Sequence, residues 1–324
     1  MHGARLVLGI GLFLGSACAA DPYAGNPPSA TGGVAMPATG GVTSTTGGVV
    51  VKTGGIVATG GVTVVIPKTP ASPNCTDTSS SSPTILTTQF GGTYVLTDGD
   101  SGKNYRLNPN WWNSSVTFNG QQVLVDGLSF TVKNPNGVKS ANDNPVGFPA
   151  MFIGAYSGAV TKISNLPKKV SELTQVNTVF QTNANSKGSS NYNVTYDVWF
   201  TPDSTVLGTG VNAPPSGGAY LMVWYFKPDN RQPRGSNRYP GKQVAGLPGS
   251  WDVWIDNTNP PCISYVATSK VESLDFDLNS FIKDSVKNSY GITNSMYLSI
   301  IFAGFEIWGG ADGLQAKAFC ADVK

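Results

Sequence analysis

Histidine is almost missing from this chain: His2 is the only one in 324 residues, and it lies in a segment expected to be removed. A Ser-His-Asp triad, a Cys-His pair and a His-based metal site are therefore excluded by inventory. Glutamate is nearly as scarce, with Glu172, Glu272 and Glu306 the only three. Charged residues make up 12% of the chain, about half the usual share. With a net charge of +2 and no cluster of Lys and Arg, nothing favours a nucleic-acid partner. Cysteine is confined to Cys18, Cys75, Cys262 and Cys320, at spacings that do not suit a metal, and no cofactor is expected. If the mature chain is an enzyme, carboxylates must carry its reaction.

What is abundant is Gly, Ser, Thr, Asn and aromatic residues, the balance of an extracellular β protein with a hydroxyl- and amide-rich surface. Residues 1–18 read as an export signal: Arg5, the apolar run Leu6 to Leu14, then small residues. That run is too short to cross a membrane as a helix. Its end, Leu14-Gly15-Ser16-Ala17-Cys18, resembles a bacterial lipobox, which would lipidate Cys18 and attach the chain to a membrane. Cleavage after Ala19 or Ala20 would instead release a secreted protein. The expected location is thus the cell surface or outer membrane, or the extracellular medium.

Residues 19–73 are low in complexity. Thr-Gly-Gly recurs at 31–33, 39–41, 46–48, 53–55 and 59–61, too closely spaced and too rich in glycine to bury a core. A flexible tether is expected there, with a stacked β-solenoid as the alternative. In an exported chain Cys75, Cys262 and Cys320 allow one disulfide with one thiol left over. Cys75–Cys320 would tie both ends of the domain to its sheet, and Cys262–Cys320 is the other candidate.

Residues 74–324 form one expected domain, a monomer. Alternating or β-rich runs occur at 93–96, 122–125, 129–132, 151–153, 192–200, 219–227, 251–255, 263–266, 297–305 and 314–319, separated by turn residues. One helix is predicted over Leu278 to Ser289, with Asp277 as its cap and Leu278, Phe281, Ile282 and Val286 at helical spacing. Many strands and one helix predict an all-β, two-sheet sandwich of the jelly-roll kind, the helix packed on the convex side of a sheet whose concave face forms a cleft.

Within this domain Glu306 stands in Phe302-Ala303-Gly304-Phe305-Glu306-Ile307-Trp308-Gly309-Gly310, an acid among rings and glycines on a predicted strand. Alternation puts Gly304, Glu306 and Trp308 on one face and Phe305 and Ile307 on the core face. Likewise Thr195, Asp197 and Trp199 share a face opposite Val194, Tyr196, Val198 and Phe200. Trp199, Trp224, Trp251 and Trp254 are expected mainly in the core. Only one of Trp251 and Trp254 can line the cleft, and Trp111 and Trp112 point opposite ways.

The aromatic strands in their order resemble glycoside hydrolase family 12, which contains endoglucanases and xyloglucanases on a β-jelly roll. The runs that carry the resemblance are Asn193 to Phe200, Tyr220-Leu221-Met222-Val223-Trp224, Trp251-Asp252-Val253-Trp254 and Phe305 to Gly310. Tyr105 to Asn113 resembles the family's tyrosine-to-tryptophan strand, and Gly147-Phe148-Pro149 its Gly-Tyr-Pro element. The resemblance implies that Glu306 is the general acid/base and Asp197 the aspartate bonded to the nucleophile. It implies that Trp112, Asn110, Met222 and Trp308 contact sugar. It also exposes a departure: Tyr220 stands where the family has its nucleophilic glutamate. Tyr220 could stack on a bound glycan, attack in its own right with help from Asp197, or leave Asp197 to activate water. The implied partner is a β-1,4-glucan, cellulose or xyloglucan. A carbohydrate-binding surface lipoprotein without turnover is the alternative.

Overall fold

A computed structural model of the protein describes residues 83–88, 94–97, 102–111, 120–135, 139, 143–156, 159–184, 191–205, 213–227, 231–269 and 273–324. The expected signal, the tether, Cys18, Cys75 and Trp112 lie outside the described residues.

The chain begins with β1 (Thr84–Leu86), β2 (Tyr94–Thr97), β3 (Asn104–Asn108), β4 (Gln122–Asp126) and β5 (Ser129–Lys133). It continues through β6 (Ala150–Tyr156), β7 (Ala159–Val160), β8 (Lys168–Lys169), β9 (Val176–Thr182) and β10 (Asn191–Tyr192). Next come β11 (Val194–Thr201), β12 (Ala219–Phe226), β13 (Ser236–Lys242), β14 (Trp251–Asp256) and β15 (Cys262–Ala267). The last elements are β16 (Ser273–Asp277), helix α1 (Asn279–Lys287), β17 (Tyr297–Gly304), β18 (Ile307–Gly309) and β19 (Gln315–Val323).

These strands make a six-stranded sheet, β1-β4-β5-β19-β9-β16, and an eleven-stranded one, β13-β14-β15-β12-β11-β17-β6-β3-β2, with β7 on β6 and β8 on β17. The two-stranded pair β10-β18 stands apart from both. The molecule is thus the expected all-β sandwich with one α-helix among the described residues. Between the sheets, Phe180 and Phe319 of the small sheet meet Tyr196 of the large one and Phe305, which follows its strand β17. Ring centroids there lie 5.8 Å (Phe180–Tyr196) and 5.9 Å (Phe180–Phe305) apart. The helix buries Phe281 against Trp251 and Tyr265, each at 4.8 Å, on the core-facing side of the large sheet. It starts one residue later than predicted, so Leu278 and not Asp277 stands at the cap position, although Asp277 still accepts from the backbone N–H of Asn279 at 3.0 Å.

The burial patterns differ by strand, and the difference locates the site. On β4, β5 and β14 buried residues alternate with half-buried ones, as one covered face requires. On β6, β11 and β17 nearly every residue is buried, so the middle of the large sheet is covered on both faces. The second face carries its own apolar layer: Phe148, Phe152, Tyr156, Trp199, Tyr220, Met222, Trp224 and Phe302. Trp199 and Trp224 are buried core residues, as expected, but of this second layer and not of the inter-sheet one, on the face they share with Asp197 and Tyr220. Trp251 is in the core and Trp254 lies against the second layer, the division their odd spacing demanded.

Candidate active site

Glu306 occupies a break between strands and not the interior of one, as the sequence pattern predicted. Strand β17 ends at Gly304 and β18 begins at Ile307. The residues on either side are held by the segment before β6: Phe305 N–H donates to the Pro149 carbonyl (3.2 Å), and Ile307 N–H to that of Gly147 (3.0 Å). Gly304 is needed for this approach, since a Cβ there would lie 2.4 Å from the Pro149 oxygen. Gly147 is needed too, because a Cβ would sit 2.7 Å from the Trp111 ring and 2.9 Å from the Asn110 carbonyl. Asn110, with a positive φ of 47° at the end of β3, accepts the Phe148 N–H at 2.9 Å. The predicted Asn110 and Gly147-Phe148-Pro149 elements therefore do come together beside Glu306.

Asn193, which sequence reasoning did not single out, fills the break. Its backbone N–H donates to the Glu306 carbonyl (2.9 Å), its Oδ1 accepts the Glu306 N–H (3.0 Å), and its Nδ2 donates to the Glu306 Oε2. An asparagine between β10 and β11 thus replaces the missing ladder bonds and orients the acid. Phe305 and Ile307 point into the inter-sheet core, as alternation predicted.

Glu306 is fully buried, and burial pushes its carboxyl up to about 7; the Arg231 charge and the Asn193 amide pull in the opposite direction. Arg231 was equally invisible in the sequence, being one of several cations in a stretch with no periodicity. Its guanidinium lies 3.8 Å over the Trp308 ring. Its Nη1 donates to the Asp143 carbonyl at 2.9 Å, and the same carbonyl accepts Trp308 Nε1–H at 2.7 Å.

Asp197 lies on β11 opposite Met222 of β12 on one side and Phe302 of β17 on the other. Burial raises its carboxyl to about 8; the Trp199 side chain lowers it, and the negative charge of Glu306 raises it further. The two candidate carboxyls therefore share one desolvated region and feel each other electrostatically. Tyr220 pairs with Trp199 across β11 and β12 and packs edge-on against its ring, centroids 5.8 Å apart. Burial raises its phenol far above the ordinary value, Asp197 and Tyr156 add to this, and Arg234 opposes it. Arg234 is itself paired with Asp256 at 2.6 Å.

The structure thus groups Glu306, Asp197, Tyr220, Met222 and Trp308, with Asn110 at the edge. Cys262, on β15 beside Tyr220, and Cys320, on β19 in the inter-sheet core, are both disulfide-bonded.

Against known proteins, the sequence pattern of glycosyl hydrolase family 12 matches residues 103–324. "Probable cellulase Cel12b" of Mycobacterium tuberculosis (strain ATCC 25618 / H37Rv) is 32% identical over 164 residues, covering 49% of this chain and 98% of that protein. "Endoglucanase S" of Pectobacterium parmentieri is 26% identical over 185 residues, 55% of this chain and 66% of that one. Among solved structures, endoglucanase cel12A from Rhodothermus marinus superposes with a TM-score of 0.64 at 30% identity, covering 74% of this chain and 99% of that one. The sandwich, the order of its aromatic strands and the match over most of the chain agree: this chain belongs to glycosyl hydrolase family 12.

Proposed function

We propose that this chain is an exported glycoside hydrolase acting on β-1,4-glucans, cellulose or xyloglucan, with Glu306 as the general acid/base and Asp197 in the partner role. The observation that carries the reading is the setting of Glu306: a buried carboxyl raised to about 7 and fixed at three points by Asn193. A general acid works best when its pKa is near the operating pH, and desolvation among rings is the usual means of raising a glycosidase carboxyl. The relatives named as cellulase and endoglucanase support the substrate class.

The identity of the second group follows from chemistry. A phenol held as far up as that of Tyr220 is almost wholly protonated at neutral pH and a poor nucleophile. Asp197 and Glu306 are instead two buried carboxyls, both raised toward neutrality, and the charge of Glu306 disfavours ionisation of Asp197, so the pair can keep one proton between them. In that state one carboxyl can protonate the glycosidic oxygen. The other takes a proton from the water that attacks the anomeric carbon, and the sugar product is inverted. Stacking of Trp112 on the apolar face of a sugar ring would supply binding, whereas Trp308 is fully buried beneath Arg231 and offers no face to a sugar.

Release of reducing sugar from xyloglucan and carboxymethyl-cellulose, measured beside Glu306→Gln, tests the proposal. Equal background from both proteins would remove the enzyme reading. A second reading, glycan binding without turnover, draws on Tyr220 standing in the nucleophile's register. Retarded migration in gels containing soluble glucan, with no sugar released, would favour it. Export is supported by the disulfide-bonded Cys262 and Cys320. Cell fractionation of wild type and Cys18→Ala separates a lipid-anchored protein from a freely secreted one.

A further inference from the structure

The charge inside the site is not balanced by the carboxyls alone. Arg231 is fully buried, and burial of a guanidinium is costly without strong compensation. The compensation is visible on two sides. The Trp308 ring takes one face of the cation at 3.8 Å. The Asp143 carbonyl fastens cation and ring together, accepting from Arg231 Nη1 and from Trp308 Nε1. Both elements of the stack are thereby fixed in place, and Trp308 stands two residues along the chain from Glu306.

We propose that Arg231 is a positioning residue for the acid Glu306: clamped face-on to Trp308, its guanidinium is the fixed positive charge set against that carboxyl in a desolvated site. The inference rests on the reading of Glu306 as the site's acid, but its physical content, a charge acting on a carboxyl, does not require turnover. A lysine would not serve equally, since its ammonium has no planar face to lie on Trp308 and no fork to reach a fixed carbonyl.

The other groups that face the two carboxyls are accounted for. Asn193 bonds Glu306 directly, and Asp143 acts on Arg231 as a further negative charge. Asp197 is the acid facing Glu306; Trp199 bears on Asp197, and Tyr156 and Tyr220 feel its charge. Arg231 is the cation bearing on Glu306, so its removal has a defined sign. A carboxyl that loses an adjacent cation in a buried site binds its proton more tightly, by roughly 1–3 pH units.

The test uses the small number of glutamates. With side-chain carboxyls of glutamate labelled with carbon-13, the chain gives three resonances, from Glu172, Glu272 and Glu306, and Glu306→Gln identifies the third. In the wild type that resonance titrates above the ordinary carboxylate range. In Arg231→Met, which keeps an unbranched chain over Trp308, its midpoint rises by one unit or more. Arg231→Gln, polar and neutral, gives the same direction and stands in should the methionine variant not fold. Arg231→Lys keeps the midpoint closer to wild type but changes the near-ultraviolet signal of Trp308. An unmoved Glu306 midpoint in folded Arg231→Met or Arg231→Gln would overturn the inference and leave the arginine a packing element. If the midpoint moves but no variant or wild type releases sugar, Arg231 keeps this role and the proposed hydrolysis falls.

Discussion

The two halves of the site are built on opposite physical plans. Around Glu306 the chain leaves regular strand, and every restraint is polar: Asn193 at three points, a clamped Arg231, and the Asp143 carbonyl shared with Trp308. Around Tyr220 the strands are continuous, and the surroundings are rings and apolar chains, Trp199, Met222, Trp224, Phe302 and Tyr156, with Asp197 the buried charge among them. One half can hold a carboxyl near its working range because opposing influences meet there. The other raises every acid in it, because desolvation has little against it. A site of this kind is better suited to giving and taking a proton than to presenting a nucleophile.

The largest break in that comparison is Glu306→Gln. Losing a positioned general acid is expected to slow sugar release by roughly 10²–10⁴-fold, read from initial rates on soluble glucan. An unchanged rate would move the chemistry elsewhere.

Next in size is the pH dependence of stability. Glu306 and Asp197 have folded values raised to about 7 and about 8, above those of the unfolded chain. Their contribution is therefore present in full below the unfolded values near 4, and is lost as pH rises through 7 and 8. Stability should fall between pH 5 and 8 by on the order of 3 kcal/mol for Glu306 alone. Urea unfolding at both pH values measures it, and Glu306→Gln should flatten the slope. A wild type equally stable at both would show that the polar half offsets burial completely.

A smaller effect is expected of Asn193→Ala. It strands the Glu306 N–H and one carboxyl oxygen in a buried place, at about 1–3 kcal/mol. It should also slow sugar release more than a substitution of similar size in the apolar half. Smallest is a gain: if Tyr220 stands where the family resemblance implies the nucleophile, Tyr220→Glu should raise activity about tenfold, about 1.4 kcal/mol, by placing a carboxyl beside Asp197. No gain would mean that the apolar half excludes a working carboxylate.

Legibility in the sequence followed the same division. Alternation identified Phe305 and Ile307 as core, Asp197 and Trp199 as neighbours on one face, and Trp251 and Trp254 as pointing apart, because a strand's two-residue period forces these outcomes wherever one face is buried. It assigned Trp199 and Trp224 to a core but did not tell which of two layers, since a sheet covered on both faces leaves no polar side to read. It did not pick out β9, whose run Val176–Thr182 lacks a clean alternation. It also carried Glu306 on a strand that in fact stops at Gly304.

By itself, then, the sequence determined the all-β sandwich, the helix after Asp277 and the short set of acids that could act. Those follow from composition and from local periodicity, which every residue of a strand reports. The tertiary structure decided how Glu306 is held and charged, because Asn193, Asp143 and Arg231 come from three separate loops. Nothing in their own neighbourhoods distinguishes them. Their effect on the acid arises from proximity in a desolvated interior, where one fixed charge or amide matters far more than it would in water.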